Sequence, residues 1–238
     1  MTAVTRFRPR RSCLYVPGAN ARALEKAKSL PADVVILDLE DAVAPDAKGD
    51  AREAILAAVG DRSYGAREVL IRVNGLETEW GRDDLEMAVS AGVDGVLTVD
   101  IPPEEGQGFV PAMKAKGIDP IFLVAPTSHK ARIERITGAA SGFVYYVSLK
   151  GVTGAANLSL DAVRAKLAEI RECTDLPVGV GFGIKDAETA AAMSEFADAV
   201  VVGSALVSRI EAHLDEPDRA IEEIKVLLGT MRAAMDAA

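Results

Sequence analysis

Residues 177–184, Pro-Val-Gly-Val-Gly-Phe-Gly-Ile, and residues 199–205, Ala-Val-Val-Val-Gly-Ser-Ala, decide how this chain folds. Each begins as a short apolar run and ends in glycine, and the alanine-rich stretch between them, Ala187–Phe196, reads as a helix. Strand, glycine turn, helix, strand, glycine turn is the repeating unit of a parallel sheet. The same order precedes it: the apolar run Phe143–Val147 leads into Lys150-Gly151-Val152-Thr153-Gly154 and then a helix at Leu160–Cys173. Glycine at a strand's end lets backbone N–H groups approach an anion closely, and the helix that follows adds the positive end of its dipole. Three such turns at the same point of successive units predict a phosphate site on Gly154, Gly183, Gly203 and Ser204.

Extended to the whole chain, the pattern predicts strands at Cys13–Val16, Val34–Leu39, Val69–Val73, Gly95–Val99, Ile121–Val124, Phe143–Val147, Val178–Val180 and Ala199–Val202. Helices are predicted at Ala21–Ser29, Ala47–Ala58, Asp83–Ser90, Glu104–Lys116, Lys130–Ala139, Leu160–Cys173, Ala187–Phe196 and Pro217–Met235, with a short extra helix, Ala205–Glu211, after the eighth strand. Ser159 and Asp161 read as caps of the sixth helix, and Asp186 with Glu188 as acids of the seventh helix's first turn. Such a βα series closes as a (β/α)8 TIM barrel, one domain over residues 1–238, with its chemistry on the loops after the strands. A doubly wound open sheet would want a glycine-rich dinucleotide turn after the first strand, and Val16-Pro17-Gly18-Ala19-Asn20 lacks that spacing.

The composition fits one large core: 238 residues, of which 49% are hydrophobic. A formal net charge of -9 argues against a nucleic-acid partner, which would want a basic face. Cys13 and Cys173 lack metal-ligand spacing and read as reduced thiols of a cytoplasmic protein. No apolar stretch approaches the length of a membrane span, and the basic run Thr5–Arg11 reads as a solvated start rather than a targeting signal.

The second strand ends Ile36-Leu37-Asp38-Leu39-Glu40-Asp41. Alternation puts Asp38 and Glu40 on one face, towards the barrel axis, and Leu37 and Leu39 on the other. The third strand supplies Arg72 and Asn74 with the same parity. Asp38, Glu40 and Arg72 are therefore the candidate catalytic groups. Two readings stay open: two acids and an arginine can serve a metal-held carboxylate substrate, or they can neutralise one another. No later strand offers the further oxygen ligands that a metal needs.

Two families are suggested by longer matches. Arg11-Ser12-Cys13-Leu14-Tyr15-Val16-Pro17-Gly18, then residues 36–45, then Ile71-Arg72-Val73-Asn74-Gly75, resemble the citrate-lyase β-subunit-like branch of the HpcH/HpaI aldolases, Mg²⁺-dependent barrel lyases of acyl-CoA or keto-acid substrates. That resemblance implies a substrate carboxylate at Arg72 and Mg²⁺ near Glu40 and Asp41, although counterparts of the family's own Glu and Asp ligands are not found. From about residue 92, segments such as Gly92–Leu97, Ile121–Thr127, Ser141–Ser148, Gly151–Ala155, Val180–Ile184 and Val201–Ala205 resemble the tryptophan synthase α-subunit, a barrel that cleaves indole-3-glycerol phosphate and docks on a β-subunit. Carried over, Gly154, Gly183, Gly203 and Ser204 hold phosphate and Tyr145, Thr153 and Phe182 lie near the indole. That family's Glu within strand two has no match, since Val34-Val35-Ile36-Leu37 is apolar. The two resemblances together read as an engineered chimera, citrate-lyase-like over residues 1–91 and tryptophan-synthase-α-like over 92–238, joined near Ser90-Ala91-Gly92. Such a chain is expected to bind phosphate or a phosphorylated small molecule, to need no cofactor, to turn over poorly and not to dock on a β-subunit. The alternative is a working lyase, on indole-3-glycerol phosphate or, with Mg²⁺, on an acyl-CoA.

Overall fold

The computed structural model describes residues 10, 12–30, 32–60, 62–98, 105–148, 160–181 and 183–238. Eight strands, β1 (Cys13–Pro17), β2 (Val34–Asp38), β3 (Glu68–Val73), β4 (Gly95–Thr98), β5 (Asp119–Val124), β6 (Val144–Val147), β7 (Val178–Gly181) and β8 (Ala199–Val201), run in that order through one sheet. Every neighbouring pair is parallel. Between them lie α1 (Ala21–Ala27), α2 (Lys48–Gly60), α3 (Gly81–Ala91), α4 (Val110–Ala115), α5 (Lys130–Ala139), α6 (Leu160–Arg171) and α7 (Ala187–Ser194), and after β8 come α8 (Ser204–Ala212) and α9 (Pro217–Ala237). This is the (β/α)8 barrel class, with the extra helix where the sequence places it.

One predicted helix breaks up. In place of Glu104–Lys116 there is a 3-10 turn at Glu105–Gly108 and then the short α4. Gly106 and Gly108 each disfavour a continuous helix by about 1 kcal/mol, and Pro111 is tolerated because it falls in the first turn of α4. At the far end of α3, Gly92 takes the left-handed conformation (φ 66°) that ends the helix without a Cβ penalty.

The described residues group into two compact units. The first reaches Phe122 and includes Ala139–Gly142; the second comprises Leu123–Gly138 and Phe143–Ala238. Strand β5 contributes to both, pairing with β4 through Asp119–Phe122 and with β6 through Leu123 and Val124.

In the first unit Val35 and Leu37 of β2, Leu39 just after it, and Val69, Ile71 and Val73 of β3 belong to one buried cluster with Leu24 of α1, Ala51 and Ile55 of α2, and Leu85 and Ala88 of α3. These are alternate residues of each strand, so one face of the sheet is sealed by helices, and each large side chain contributes about 1.5–3 kcal/mol. The other parity of β2 and β3 is left to carry Asp38 and Arg72. In the second unit α9 lies against α7, with Ala190 and Met193 of α7 and Ala220, Leu227 and Met231 of α9 buried. Asp186 proves to be the N-cap of α7: its carboxylate accepts from the Thr189 amide (2.8 Å) and hydroxyl (2.6 Å).

Candidate functional site

Register brings the strand-end charges of the first unit together. Asp38, the last residue of β2, pairs directly with Arg72 of β3. The Arg72 Nε donates to Asp38 Oδ1 at 2.8 Å, and Nη2 donates to Oδ2, a two-point fork. Nη1 lies 2.8 Å from Glu40 Oε2 and 3.3 Å from Asp41 Oδ2. The face of the Tyr15 ring, on β1, covers the guanidinium with 5.5 Å between Cζ and the ring centre. Asp38 is only 2% exposed.

Burial works against the Arg72 charge, but the hydrogen bonds and charge of Asp38, with the charge of Glu40, outweigh it and hold the guanidinium more firmly protonated than usual. Burial pushes the Glu40 carboxyl above its ordinary range, against the pull of Arg72. Burial likewise pushes the Tyr15 phenol up to about 12, although Arg72 opposes it. Of the two open readings, the geometry matches mutual neutralisation: each end of the guanidinium already faces a carboxylate. The same fact bears on Mg²⁺. Asp38, Glu40 and Asp41 all turn onto Arg72, and among the described residues no group of three or more His, Cys, Asp or Glu is arranged to hold a metal ion. The described residues do not fit the metal that the aldolase resemblance implies.

Beneath this rim lies a network that the sequence reading misses. Lys48, the first residue of α2, is 5% exposed and donates to the carbonyls of Leu39 (2.6 Å) and Glu40 (2.7 Å) and to Asn74 Oδ1 (2.9 Å). Its ammonium sits 5.3 Å from the centre of the Trp80 ring. Asn74 also donates to the Leu39 carbonyl (2.9 Å) and to Asp84, which is fully buried and accepts from Arg52 at 2.9 Å. One signal was available in the chain: a lysine in the first turn of a helix opposes the helix dipole, so it needs other partners.

The glycine turns belong to the second unit. Strands β7 and β8 pair as Gly181 with Val201, so Gly183 and Gly203 each lie two residues beyond matched strand ends. Gly183 is left-handed (φ 80°). Gly203 is the N-cap residue of α8, whose first turn no side chain caps, and Ser204 is its first helical residue. Both Gly203 and Ser204 are exposed. Backbone N–H groups at an uncapped helix start are ready donors for an anion. Tyr145 of β6 lies over Gly181, where an added Cβ would stand 2.6 Å from its Cζ. That explains the second glycine of Val-Gly-Val-Gly: at Gly181 the strand gives up its side chain so that the phenol ring can occupy the space. At the neighbouring strand end Ser148 donates its hydroxyl to the Gly181 carbonyl at 2.6 Å. Gly154, Thr153 and Phe182, with the predicted cap Ser159, lie outside the described residues.

Fold and site together define a (β/α)8 barrel with glycine turns and charged side chains at the C-terminal ends of its strands. A model of the tryptophan synthase alpha chain family matches residues 70–236, and a model of the HpcH/HpaI aldolase/citrate lyase family matches residues 11–103. The tryptophan synthase alpha chain of Nitrosococcus oceani is 44% identical over 223 residues, 93% of this chain and 78% of the relative. That of Thioalkalivibrio sulfidiphilus is 64% identical over 149 residues, 63% of this chain and 56% of the relative. Among solved structures, tryptophan synthase subunit alpha from Legionella pneumophila superposes with a TM-score of 0.71 at 28% identity, covering 96% of this chain and 94% of that one. The chain belongs to the tryptophan synthase alpha chain family. It spans little more than half the length of the first curated relatives it matches.

These findings correct the chimera reading. The similarity to the Nitrosococcus chain extends over 93% of the sequence, so it crosses the supposed junction at Ser90–Gly92, and the Legionella superposition covers 96%. The relatives are natural alpha chains, which overturns both an engineered origin and a barrel deprived of an active site by a join. The expectation that β-subunit docking is lost rested on the same junction and falls with it; tryptophan synthase of Mycobacterium tuberculosis is itself a structural neighbour, at a TM-score of 0.68. Among the described residues no helix is long and apolar enough to cross a membrane.

Proposed function

We propose that this chain is an alpha-type lyase that binds indole-3-glycerol phosphate through its phosphate group and releases indole. The observation that carries the reading is the start of α8: Gly203 and Ser204 are exposed at an uncapped helix N-terminus, level with the left-handed Gly183 after the neighbouring strand. Membership of the alpha chain family supports the substrate. Gly154 joins the phosphate cradle in this reading, and Tyr145, Thr153 and Phe182 line the indole side. Cleavage needs a proton delivered to the indole ring and one taken from a glycerol hydroxyl, a task for carboxyl groups and not for a cofactor. Strand two offers no acid within its apolar run, so Asp38 and Glu40, with Arg72 between them, are the groups we assign to it. The chain works in the cytoplasm as the partner of a tryptophan synthase β chain. The aldolase match adds no Mg²⁺-dependent reaction, because the carboxylates it would need are turned onto Arg72.

The experiment is calorimetric titration with inorganic phosphate and glycerol phosphate, alongside an indole-release assay. Ser204→Asp places a carboxylate where the phosphate is read to sit, and it should weaken binding by on the order of tenfold or more while the fold persists. No phosphate binding by the folded chain at millimolar ligand would sink the reading.

A further inference from the structure

A cation buried to this degree is costly unless its protons are all used, and Lys48 uses three on neutral oxygens: two consecutive backbone carbonyls and one side-chain amide. The carbonyls belong to the peptide groups Leu39–Glu40 and Glu40–Asp41. The far end of the first of those peptides faces a strand-end acid. The Glu40 amide donates to Asp38 Oδ1 at 2.8 Å, the oxygen that also receives Arg72 Nε. The Asp41 amide is among the groups that favour the ionised form of the Glu40 carboxyl. An ammonium at the carbonyl end of a peptide polarises it and strengthens the N–H at the other end. Asn74 reinforces the first of the two carbonyls and is itself tied to Asp84 and Arg52.

We propose that Lys48 is a positioning residue that grips the Leu39 and Glu40 carbonyls and thereby fixes the Glu40 N–H on Asp38, holding that acid in register with Arg72. It is not a nucleophile, since all three protons are engaged and the side chain is almost wholly enclosed. Its importance for turnover rests on the assignment of Asp38 and Glu40 in the reading above. Its action on the two peptides does not.

The test is nuclear magnetic resonance on the full chain. In the wild type, the Lys48 ammonium should give a slowly exchanging signal with couplings across hydrogen bonds to the carbonyl carbons of Leu39 and Glu40. Exchange as fast as that of surface lysines would overturn the proposal without any variant. In Lys48→Met, exchange of the Glu40 amide should accelerate by on the order of tenfold, the equivalent of one hydrogen bond to a charged group, while the Val35 and Ile71 amides keep their protection. Lys48→Arg should recover part of it. A variant that melts earlier but leaves the Glu40 amide and the Arg72 Nε–H signal unmoved would show a merely structural lysine and refute the proposal. Where indole release is measured, Lys48→Met should lower kcat and leave KM nearly unchanged. A wild type that binds no phosphate and releases no indole strikes the proposed reaction alone, and the amide signals still decide the role of Lys48.

Discussion

Replacing Gly181 by alanine places a methyl carbon on the Tyr145 hydroxyl, 2.6 Å from the ring's Cζ and 3.2 Å from Cε1. Ordinary contact between such atoms is about 3.5 Å or more, so ring and methyl must separate by roughly an ångström or more. Little of that can come from the backbone. Tyr145 is paired with Leu123 on one side and Gly179 on the other, and Gly181 with Val147 and Val201, so both partners sit inside parallel ladders. The ring therefore has to leave its rotamer, at a cost of about 1–3 kcal/mol for overpacking, offset by about 0.5–1 kcal/mol from a stiffer unfolded chain. The net expectation is a loss of about 1–2 kcal/mol, or a fall in Tm of several degrees at this length. Urea unfolding of the single variants and of Gly181→Ala with Tyr145→Leu completes a double-mutant cycle. Tyr145→Phe should relieve only part of it, because the hydroxyl goes but Cζ stays, whereas leucine removes all three close atoms and should return about 1 kcal/mol of the loss as coupling. If Gly181→Ala is as stable as the wild type, or costs as much in the Tyr145→Leu background as beside the native tyrosine, the explanation of Gly181 is wrong.

Arg72→Met leaves Asp38 buried without its fork and should destabilise the first unit by about 3–5 kcal/mol, measured by denaturant unfolding at neutral pH; a loss below about 1 kcal/mol would contradict the closed ion-pair geometry. Burial, reinforced by the charge of Glu68, pushes the Cys13 thiol from 9.0 up to about 11, so the folded state holds this proton more tightly than the unfolded chain. The stability it contributes is full below about pH 9 and is lost as pH rises through about 11; Cys13→Ala should flatten that alkaline slope in Tm, and an unchanged slope would count against it. Asp186→Ala removes the α7 cap and should cost about 1 kcal/mol, with faster amide exchange at Thr189 as the local sign.

The eight-unit alternation was legible because a strand buried by helices on one face must repeat at period two and its helix at 3.6, and both periods are local. Every predicted strand is present, most of them within a residue or two at each end. The α4 region failed for an equally local reason, two glycines whose cost the apolar pattern of Glu104–Lys116 conceals. Parity also gave the Asp38–Arg72 pair, since it fixes which face a side chain takes. Lys48 was hidden because its three acceptors lie up to 26 positions away and two of them are backbone carbonyls, which carry no sequence signal.

The chimera reading went astray through the same physics that made the fold easy. A barrel is assembled from interchangeable units, so a motif such as residues 36–45 reports the chemistry of one strand end and its loop, not the ancestry of the units around it. Only similarity sustained across units can test a junction, and the Nitrosococcus alignment supplies it. What the motif does report is the local electrostatics. Arg72 gives Nε and Nη2 to Asp38, which is 2% exposed, and aims Nη1 at Glu40 and Asp41, so a substrate carboxylate would find the inner side of this guanidinium closed and its outer nitrogen already facing two acids. Among the described residues, Glu40 Oε2 is the buried side-chain atom left with an ion contact but no hydrogen bond. An arginine already neutralised beside a carboxylate with one oxygen short of a donor is poorly built to hold an anion. The group of this cluster that can hold a proton is Glu40, whose carboxyl burial pushes above its ordinary range.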